Sequence, residues 1–257
     1  METRSFFRDK AADYAKYRAD YPEFVIRAAL ESIALREDDV VADLGSGTGL
    51  LSRWFLERGS RVVAVEPERS MREVAEESLR GFSDRHTSIE GTAERTSLPD
   101  SSVTLIAAGN AFHYFEPVAA RAEAARILRP GGRVLFLKHD GVSRPNEFMR
   151  AYFELIAAAA PDKLKAFHDT ERVSKALRTF FGEDAFHERD MGDHGFRLTW
   201  DGLRGRFLST SVAPAEDDAQ RDDVLAQLSE VFRRFEQGGT VPFQLRWRYI
   251  WSKLESR

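Results

Sequence analysis

The segment 40–49 reads Val40-Val41-Ala42-Asp43-Leu44-Gly45-Ser46-Gly47-Thr48-Gly49. Its apolar start predicts a buried β-strand, and helical spacing follows from Leu50 to Arg58. The glycines between them let the main chain turn sharply and come close to a ligand. A strand, a glycine-rich turn and a helix in this order predict a nucleotide pocket at the carboxyl end of the strand.

The spacing of the glycines discriminates between nucleotide ligands. A dinucleotide fingerprint requires Gly-x-Gly-x-x-Gly, and Leu50 stands where its last glycine would be, which disfavours an NAD-dependent oxidoreductase. Asp43, just before the turn, suits a ligand with an ammonium group. Glu66 follows the next apolar run, near the offset at which an acid accepts ribose hydroxyls. The pattern indicates a ligand with a ribose and a positive group that needs no phosphate cradle.

Further apolar runs predict strands at 61–65, 86–89, 103–108 and 134–137. Amphipathic stretches separate them, and Pro130-Gly131-Gly132 predicts a turn after the last of these helices. This alternation with short connections predicts a parallel sheet with helices on both faces. Residues 144–182 look helical and read as an insertion, and 241–251 alternate like an antiparallel strand with one covered face. We therefore expect a single α/β domain with a helical cap.

Composition narrows the class of protein. The 257 residues include no cysteine, which excludes disulfides, thiolate metal sites and a cysteine nucleophile. A net charge of −4 lacks the basic field expected of a nucleic-acid binder. No apolar run approaches the roughly 18 residues of a membrane span, and the N-terminus has no signal-peptide core. We therefore expect a cytoplasmic protein without a membrane partner.

Several motifs follow one another in an order known from one enzyme family. They are Val41 to Gly49, Val65-Glu66-Pro67, Gly91-Thr92-Ala93-Glu94, Asn110 to Phe115 and Leu128 to Gly132. Over roughly residues 10–140 the sequence resembles the class I S-adenosylmethionine-dependent methyltransferases, in the small-molecule branch that includes ubiquinone-biosynthesis and trans-aconitate methyltransferases. The resemblance implies a Rossmann-like, mostly parallel seven-stranded sheet with helices on both faces. It also implies an antiparallel last strand, a helical N-terminal segment and a helical insertion that acts as a lid.

The resemblance implies one methyltransferase domain over 1–257. Within it, 1–36 would be an N-terminal helical cap and 37–140 the cofactor-binding core. Residues 141–182 would be the lid insertion, and 183–257 would supply the C-terminal strands and helices that complete the sheet. The aromatic residues of the insertion would form an apolar lid or pack in the core: Phe148, Tyr152, Phe153, Phe167, Phe180 and Phe181.

The implied cofactor is S-adenosylmethionine, with S-adenosylhomocysteine as product. The residues that would wrap its methionine portion are Asp43, Gly45, Ser46 and Gly47. Glu66, followed by Pro67, would bind both ribose hydroxyls, and Met71 would pack against the adenine or simply in the helix core.

The adenine edge and the N-terminal helix add further expected cofactor contacts. The family often has Asp where this chain has Thr92, so Glu94 or main-chain groups at Ala93 could accept from the adenine amino group instead. Asn110 begins the segment after the fourth strand. Tyr14 and Arg18 share a helical face, where the guanidinium could hold the methionine carboxylate. Alternatively, this helix packs on the sheet edge and Arg18 lies in solvent.

Methyl transfer from a sulfonium is an in-line displacement, so the protein mainly has to align the acceptor. His113 is the candidate general base or acceptor contact, since imidazole can accept a proton near neutral pH, although it could equally be a pocket wall. His139 and Asp140 could reach the same cavity. Their spacing does not support a metal site, and no metal is expected.

The leading hypothesis is therefore a methyltransferase that acts on an O, N, S or C nucleophile of a small molecule. The oligomeric state, either a monomer or a homodimer, stays open. An RNA or protein methyltransferase and a non-catalytic S-adenosylmethionine-binding module are the alternatives. Against base-amine methylation, Asn110-Ala111-Phe112-His113 has no paired prolines to hold a flipped base. The arginines that could still form a local basic patch are Arg204, Arg206, Arg233, Arg234, Arg246 and Arg248.

Overall fold

A computed structural model describes residues 11–18, 20–161, 170–183 and 185–254. The first ten residues of the expected cap, and Phe167 of the expected lid, lie outside the described residues. The strands are β1 (Val40–Leu44), β2 (Arg61–Val65), β3 (His86–Ile89), β4 (Val103–Gly109), β5 (Leu128–Asp140), β6 (His187–Thr199) and β7 (Thr240–Lys253). The helices are α1 (Ala11–Tyr17), α2 (Glu23–Ser32), α3 (Leu50–Leu56), α4 (Arg69–Ser78), α5 (Pro117–Ile127), α6 (Glu147–Ala159), α7 (Thr170–Phe181), α8 (Trp200–Leu208) and α9 (Arg221–Phe235).

Among the described residues, seven strands form one sheet in the order β3-β2-β1-β4-β5-β7-β6. Strand β1 runs parallel to both β2 and β4, and β7 runs antiparallel to both β5 and β6. The predicted Rossmann-like, mostly parallel sheet with an antiparallel last strand is confirmed. The chain leaves β1 toward β2 and β3 on one side and returns through β4 to the other side. The carboxyl ends of β1 and β4 therefore border the crevice in which open α/β sheets bind ligands.

Apolar side chains cover the sheet on both faces. One buried cluster includes Leu105, Leu135 and Trp247, and a second one includes Ile106 and Phe136. Because consecutive residues of β4 and β5 point to opposite faces and both faces are buried there, the segments 105–108 and 134–137 are continuously apolar.

The structure corrects several predicted boundaries. The helix expected over 50–58 ends at Leu56, and the strand expected over 134–137 extends over Leu128–Asp140. Helix α5 does end at Ile127, but Pro130-Gly131-Gly132 lies within an irregular part of β5 and is not a separate turn. The pairing register of β4 with β5 shifts between Val103 and Leu105, which accommodates these residues.

The described residues of the expected insertion include the helices α6 and α7. Strand β6, which had no individual prediction, forms the edge of the sheet beside β7. Most of its side chains are exposed or only half-buried, so it lacks the apolar run of a central strand. No helix in the described part of the chain combines the length and the apolar character needed to span a bilayer.

Candidate functional site

The glycine-rich turn after β1 shapes the crevice. Gly45 and Gly47 have φ of +65° and +56°, which side-chain-bearing residues rarely adopt. A Cβ at Gly45 would lie 2.7 Å from Cβ of Ala111, so the turn packs directly on the segment after β4. A Cβ at Gly47 would meet no atom within 4 Å. Gly47 therefore leaves space beside its main chain, and the sequence prediction of a close main-chain approach has its geometric basis there.

Glu66 closes β2 and faces the crevice. Its Oε2 accepts from Gly47 N at 2.9 Å, and its Oε1 accepts from Glu68 N at 2.9 Å. The side chain is only 8% exposed, and this burial raises the pKa of Glu66 despite the two hydrogen bonds. Each carboxylate oxygen has a second lone pair for a ligand hydroxyl. The Glu66 carboxylate is thus held in place by two hydrogen bonds and can still accept hydrogen bonds from a ligand.

Glu66 lines a cavity of about 310 Å³, named the Glu66 cavity below. Further residues expected at the cofactor line the same cavity: Tyr14, Gly45, Gly47, Pro67, Met71, Thr92, Ala93, Glu94 and Asn110. The Glu94 carboxylate accepts from Glu116 N at 2.8 Å, which ties the loop after β3 to the start of α5. The structure thereby brings residues from four separate motifs to one place.

Asp43 is fully buried at the end of β1. Ser52 Oγ donates to its Oδ2 at 2.7 Å, whereas Oδ1 has no hydrogen-bond partner among the described residues. Burial is the main reason that the pKa of Asp43 rises to about 7, and the nearby charge of Glu66 raises it as well. A buried carboxylate oxygen without a donor is costly unless a ligand supplies one.

Asp43 lines a second, narrow space of about 30 Å³, named the Asp43 pocket. Ser46 and Arg18 also line it. Arg18 turns inward: its guanidinium lies 4.7 Å from the centre of the Tyr14 ring and donates to Ser209 O at 3.4 Å. Nε of Arg18 is buried without a partner among the described residues. The alternative that placed Arg18 in solvent is wrong.

Asn110 joins the ends of β4 and β5. Its main-chain N–H donates to Leu137 O at 2.8 Å, and its side-chain Oδ1 accepts from His139 N at 2.9 Å. It holds a left-handed conformation with φ of +54°, which asparagine tolerates better than most residues. Asn110 and Tyr14 line the Glu66 cavity, the Asp43 pocket and a third cavity, so these three spaces meet at the two residues.

The third space has a volume of about 200 Å³ and is named the His113 cavity. Helices of the insertion contribute Met149, Tyr152 and Leu177 to its apolar wall. Of the aromatic residues expected in the lid, Tyr152 and Phe153 line the cavity, whereas Phe148, Phe180 and Phe181 are buried in the core. His139 and Asp140 reach the His113 cavity as expected.

His113 lies in the short helical turn Phe112–Tyr114 beyond β4. Its ring faces the cavity and contacts Tyr114, with 3.9 Å between the ring centres. Although His113 as a whole is exposed, partial loss of hydration where the protein surrounds its ring is the largest cause that lowers its pKa to about 4. The positive charges of Arg172, Arg18 and Lys138 lower the pKa as well. The imidazole is therefore neutral at physiological pH, with a free lone pair but little thermodynamic drive to remove a proton.

Within the described ranges, no group of three or more His, Asp or Glu side chains could hold a metal ion.

Three of the arginines considered for a local basic patch are engaged elsewhere. Arg206 is only 3% exposed and lines the His113 cavity, and Arg246 and Arg248 form ion pairs with Asp190 and Glu188. These three arginines therefore do not contribute an open basic surface.

Comparison with known sequences finds a family model that matches the central part of the chain. Residues 42–136 match the family model of the methyltransferase domain. The chain contains a methyltransferase domain. The matched range begins within β1 and ends within β5, so it includes the turn at Gly45, the acid Glu66 and His113.

One relative by sequence and two structural neighbours are also similar to this chain. An uncharacterised methyltransferase of Mycobacterium tuberculosis is 39% identical over 128 residues, which are 50% of this chain and 49% of that protein. The chain thus spans about half the length of this relative. A proposed type II methyltransferase from Anaeromyxobacter dehalogenans shares the fold, with a TM-score of 0.67 and 24% identity over 94% of this chain and 100% of that one. A geranyl diphosphate methyltransferase solved in complex with S-adenosylmethionine has a TM-score of 0.50 and 16% identity, over 88% of this chain and 83% of that one.

Sequence reasoning missed the roles of three residues around the crevice, which are Gly109, Tyr21 and Arg206. Gly109 ends β4, and a Cβ there would lie 2.0 Å from the hydroxyl oxygen of Tyr21. Tyr21 is buried on the segment after α1, and no local pattern pairs it with Gly109, which lies 88 positions away in the chain. Arg206 was considered only as a surface arginine. No local pattern marks its inward orientation, because Arg204 on the same helix lies equally close to Leu203 and Phe207 in the sequence.

Proposed function

We propose that this protein is an S-adenosylmethionine-dependent methyltransferase whose acceptor is a small molecule. The observation that carries the proposal is the meeting of the Glu66 cavity, the Asp43 pocket and the His113 cavity at Tyr14 and Asn110. A two-substrate transfer needs two neighbouring sites whose ligands meet at one point. The matched methyltransferase domain and the fold of the S-adenosylmethionine-bound neighbour support the same choice of cofactor.

The residues of the crevice fit this cofactor. The Glu66 carboxylate suits ribose hydroxyls, because both oxygens are fixed by main-chain donors and still have lone pairs. The unpartnered Oδ1 of Asp43 suits an ammonium group, and the buried Nε of Arg18 suits a carboxylate. The open space beside Gly47 suits a ligand that passes between the Glu66 cavity and the Asp43 pocket.

When bound, the cofactor would supply an activated methyl group. Asp43 and Arg18 would orient its amino-acid end, and Glu66 and Met71 its nucleoside end. The His113 cavity would hold the acceptor on the opposite side of Asn110. Alignment of two reactants in this way can contribute roughly 7–11 kcal/mol to lowering the barrier.

His113 acts in this proposal as a positioning group more than as a strong base. A neutral imidazole whose pKa is lowered to about 4 can accept a hydrogen bond from an acceptor hydroxyl or amine. Efficient general-base catalysis calls for a pKa near the working pH, which this environment does not provide. Helices α6 and α7 cover the cavity with apolar side chains, which suits a small acceptor and excludes water.

Calorimetric titration with S-adenosylhomocysteine and with NADH tests the cofactor assignment. We expect binding of the first and none of the second, and the opposite result would overturn the proposal. Transfer of a labelled methyl group from S-adenosylmethionine to a panel of phenols, amines, thiols and carboxylic acids then tests catalysis. Tight cofactor binding without transfer to any member of the panel would favour the non-catalytic binding module.

A further inference from the structure

Arg206 is the residue of the His113 cavity that the proposed chemistry leaves unexplained. It lies on α8 between Leu203 and Phe207, and only 3% of it is exposed. Its guanidinium lies 4.9 Å from the centre of the Phe243 ring, in the wall of the cavity. The ring face attracts the cation but offers no hydrogen-bond acceptor comparable to an oxygen.

The charge of Arg206 has no counter-ion in the described part of the chain. Nη1 is buried without a hydrogen-bond partner, and no described carboxylate forms an ion pair with this side chain. A second arginine with little exposure, Arg133, shows the usual arrangement: it pairs with Asp39 and donates to the carbonyl oxygens of Ile33 and Ala34. An unpaired buried guanidinium is strongly destabilising, so its retention calls for a ligand that neutralises it.

The surroundings add positive charge. Burial and the charge of Arg18 lower the pKa of Arg206 to about 10, so the guanidinium stays protonated at neutral pH. Lys138 and Arg172 line the same cavity, but Lys138 pairs with Asp140 at 3.1 Å and Arg172 is exposed, so Arg206 is more deeply buried than either. Burial raises the pKa of Tyr152 to about 12, so its hydroxyl keeps its proton and can donate beside Arg206.

We propose that the methyl acceptor carries an oxyanion, such as a carboxylate, on an apolar body, and that Arg206 binds this oxyanion in the His113 cavity. The inference rests on the proposed function, because it takes this cavity as the acceptor site. The planar guanidinium matches an oxyanion with two parallel N–H donors. Arg206 lines only the His113 cavity, whereas Arg18 also lines the Asp43 pocket. The two arginines therefore serve different ligands, Arg18 the cofactor and Arg206 the acceptor.

Matched pairs of acids and amides test the proposal without knowledge of the natural acceptor. Benzoate and octanoate are compared with benzamide and octanamide, in the presence of saturating S-adenosylhomocysteine, by calorimetry. We expect each carboxylate to bind at least tenfold more tightly than its amide. Binding of phenyl phosphate is measured in the same way. A preference for the carboxylates or for the phosphate over the neutral amides supports the proposal. Equal binding of acids and amides, or no binding of either, would overturn it.

Variants of Arg206 test whether this residue causes the preference for carboxylates over amides. Arg206→Met is expected to abolish the preference for carboxylates, and Arg206→Lys to retain part of it. Arg234→Met is the matched control, since Arg234 also lies over an aromatic ring, 5.0 Å from the centre of Phe235, but is exposed on α9. This control should bind like the wild type. A carboxylate preference that persists in Arg206→Met would assign the oxyanion to another residue and contradict the proposal.

Two measurements separate this inference from the proposed function. Titration with S-adenosylhomocysteine alone should give the same affinity for the wild type and for Arg206→Met, and absence of binding in both would refute the cofactor assignment instead. Thermal unfolding should show Arg206→Met at least as stable as the wild type, because the variant removes a buried unpaired charge. A marked loss of stability would show that Arg206 has a partner within the protein and would overturn the inference.

Discussion

Gly47 donates its main-chain N–H to Oε2 of Glu66 over 2.9 Å, which joins the turn after β1 to the end of β2. The same two residues line the Glu66 cavity. The acid that is proposed to bind the ribose therefore also fixes the turn that shapes the crevice. A substitution of Glu66 removes a ligand contact and a restraint on the turn at once.

Replacement of Glu66 by Ala should weaken the binding of S-adenosylhomocysteine by well over tenfold. A hydrogen bond to a charged acceptor contributes roughly 1.5–3 kcal/mol, and two ribose hydroxyls would lose this acceptor. Calorimetry on the folded variant measures the effect. Glu73→Ala is the control, because Glu73 is exposed on α4 and pairs with Arg69. Wild-type affinity in Glu66→Ala would rule out the ribose role.

Asp43 should make the ligand-free protein less stable as the pH rises. The pKa of Asp43 is raised to about 7 in the folded state, from 3.8 ordinarily. Between these values the folded state binds more protons than the unfolded state, so the free energy of unfolding falls with increasing pH. Asp43→Asn removes this effect, and its melting temperature relative to the wild type should be higher at pH 8 than at pH 5.

Thermal unfolding by circular dichroism at the two pH values checks this expectation. Asp38→Asn, an exposed position before β1, serves as the control and should show no such pH-dependent difference. The same offset between Asp43→Asn and the wild type at both pH values would contradict the raised pKa.

The central sheet could be predicted from the sequence because its strands are buried on both faces. The runs at 40–44 and 103–108 are apolar for this reason except at Asp43 and Thr104, and the motifs at Gly45 and Glu66 mark the crevice. Strand β6 gave no comparable signal, since it lies at the edge and alternates partly exposed residues.

The acceptor side of the site depends on contacts that are distant in sequence. Arg206 reaches the His113 cavity because α8 packs against α1 and β6, which brings its guanidinium over the ring of Phe243 on β7. Local patterns cannot distinguish this arginine from Arg204 on the same helix, which is exposed. The cofactor side is built from local motifs, whereas the acceptor side is built by tertiary packing.

Gly109→Ala should destabilise the protein by about 1–3 kcal/mol, the usual cost of overpacking a core. The added Cβ would lie 2.0 Å from the Tyr21 hydroxyl oxygen, which must move. In a Tyr21→Phe background the same substitution should cost less, because the nearest obstacle is gone. Urea unfolding of the two single variants and the double variant measures this coupling, and strictly additive effects would contradict the contact. Gly81→Ala, where an added Cβ meets nothing within 4 Å, is the control.

His113 should remain neutral throughout the physiological pH range. Because the pKa of His113 is lowered to about 4, its imidazole carbon-bound proton signal should stay constant between pH 5.5 and 8 in NMR titrations, assigned with the His113→Gln variant. That variant should keep its affinity for S-adenosylhomocysteine, since His113 lines the His113 cavity and not the Asp43 pocket. With an acceptor found in the labelled-methyl panel, its KM should rise more than its kcat falls. A titration of His113 near pH 6.5, together with a large loss in kcat alone, would instead identify this residue as a general base.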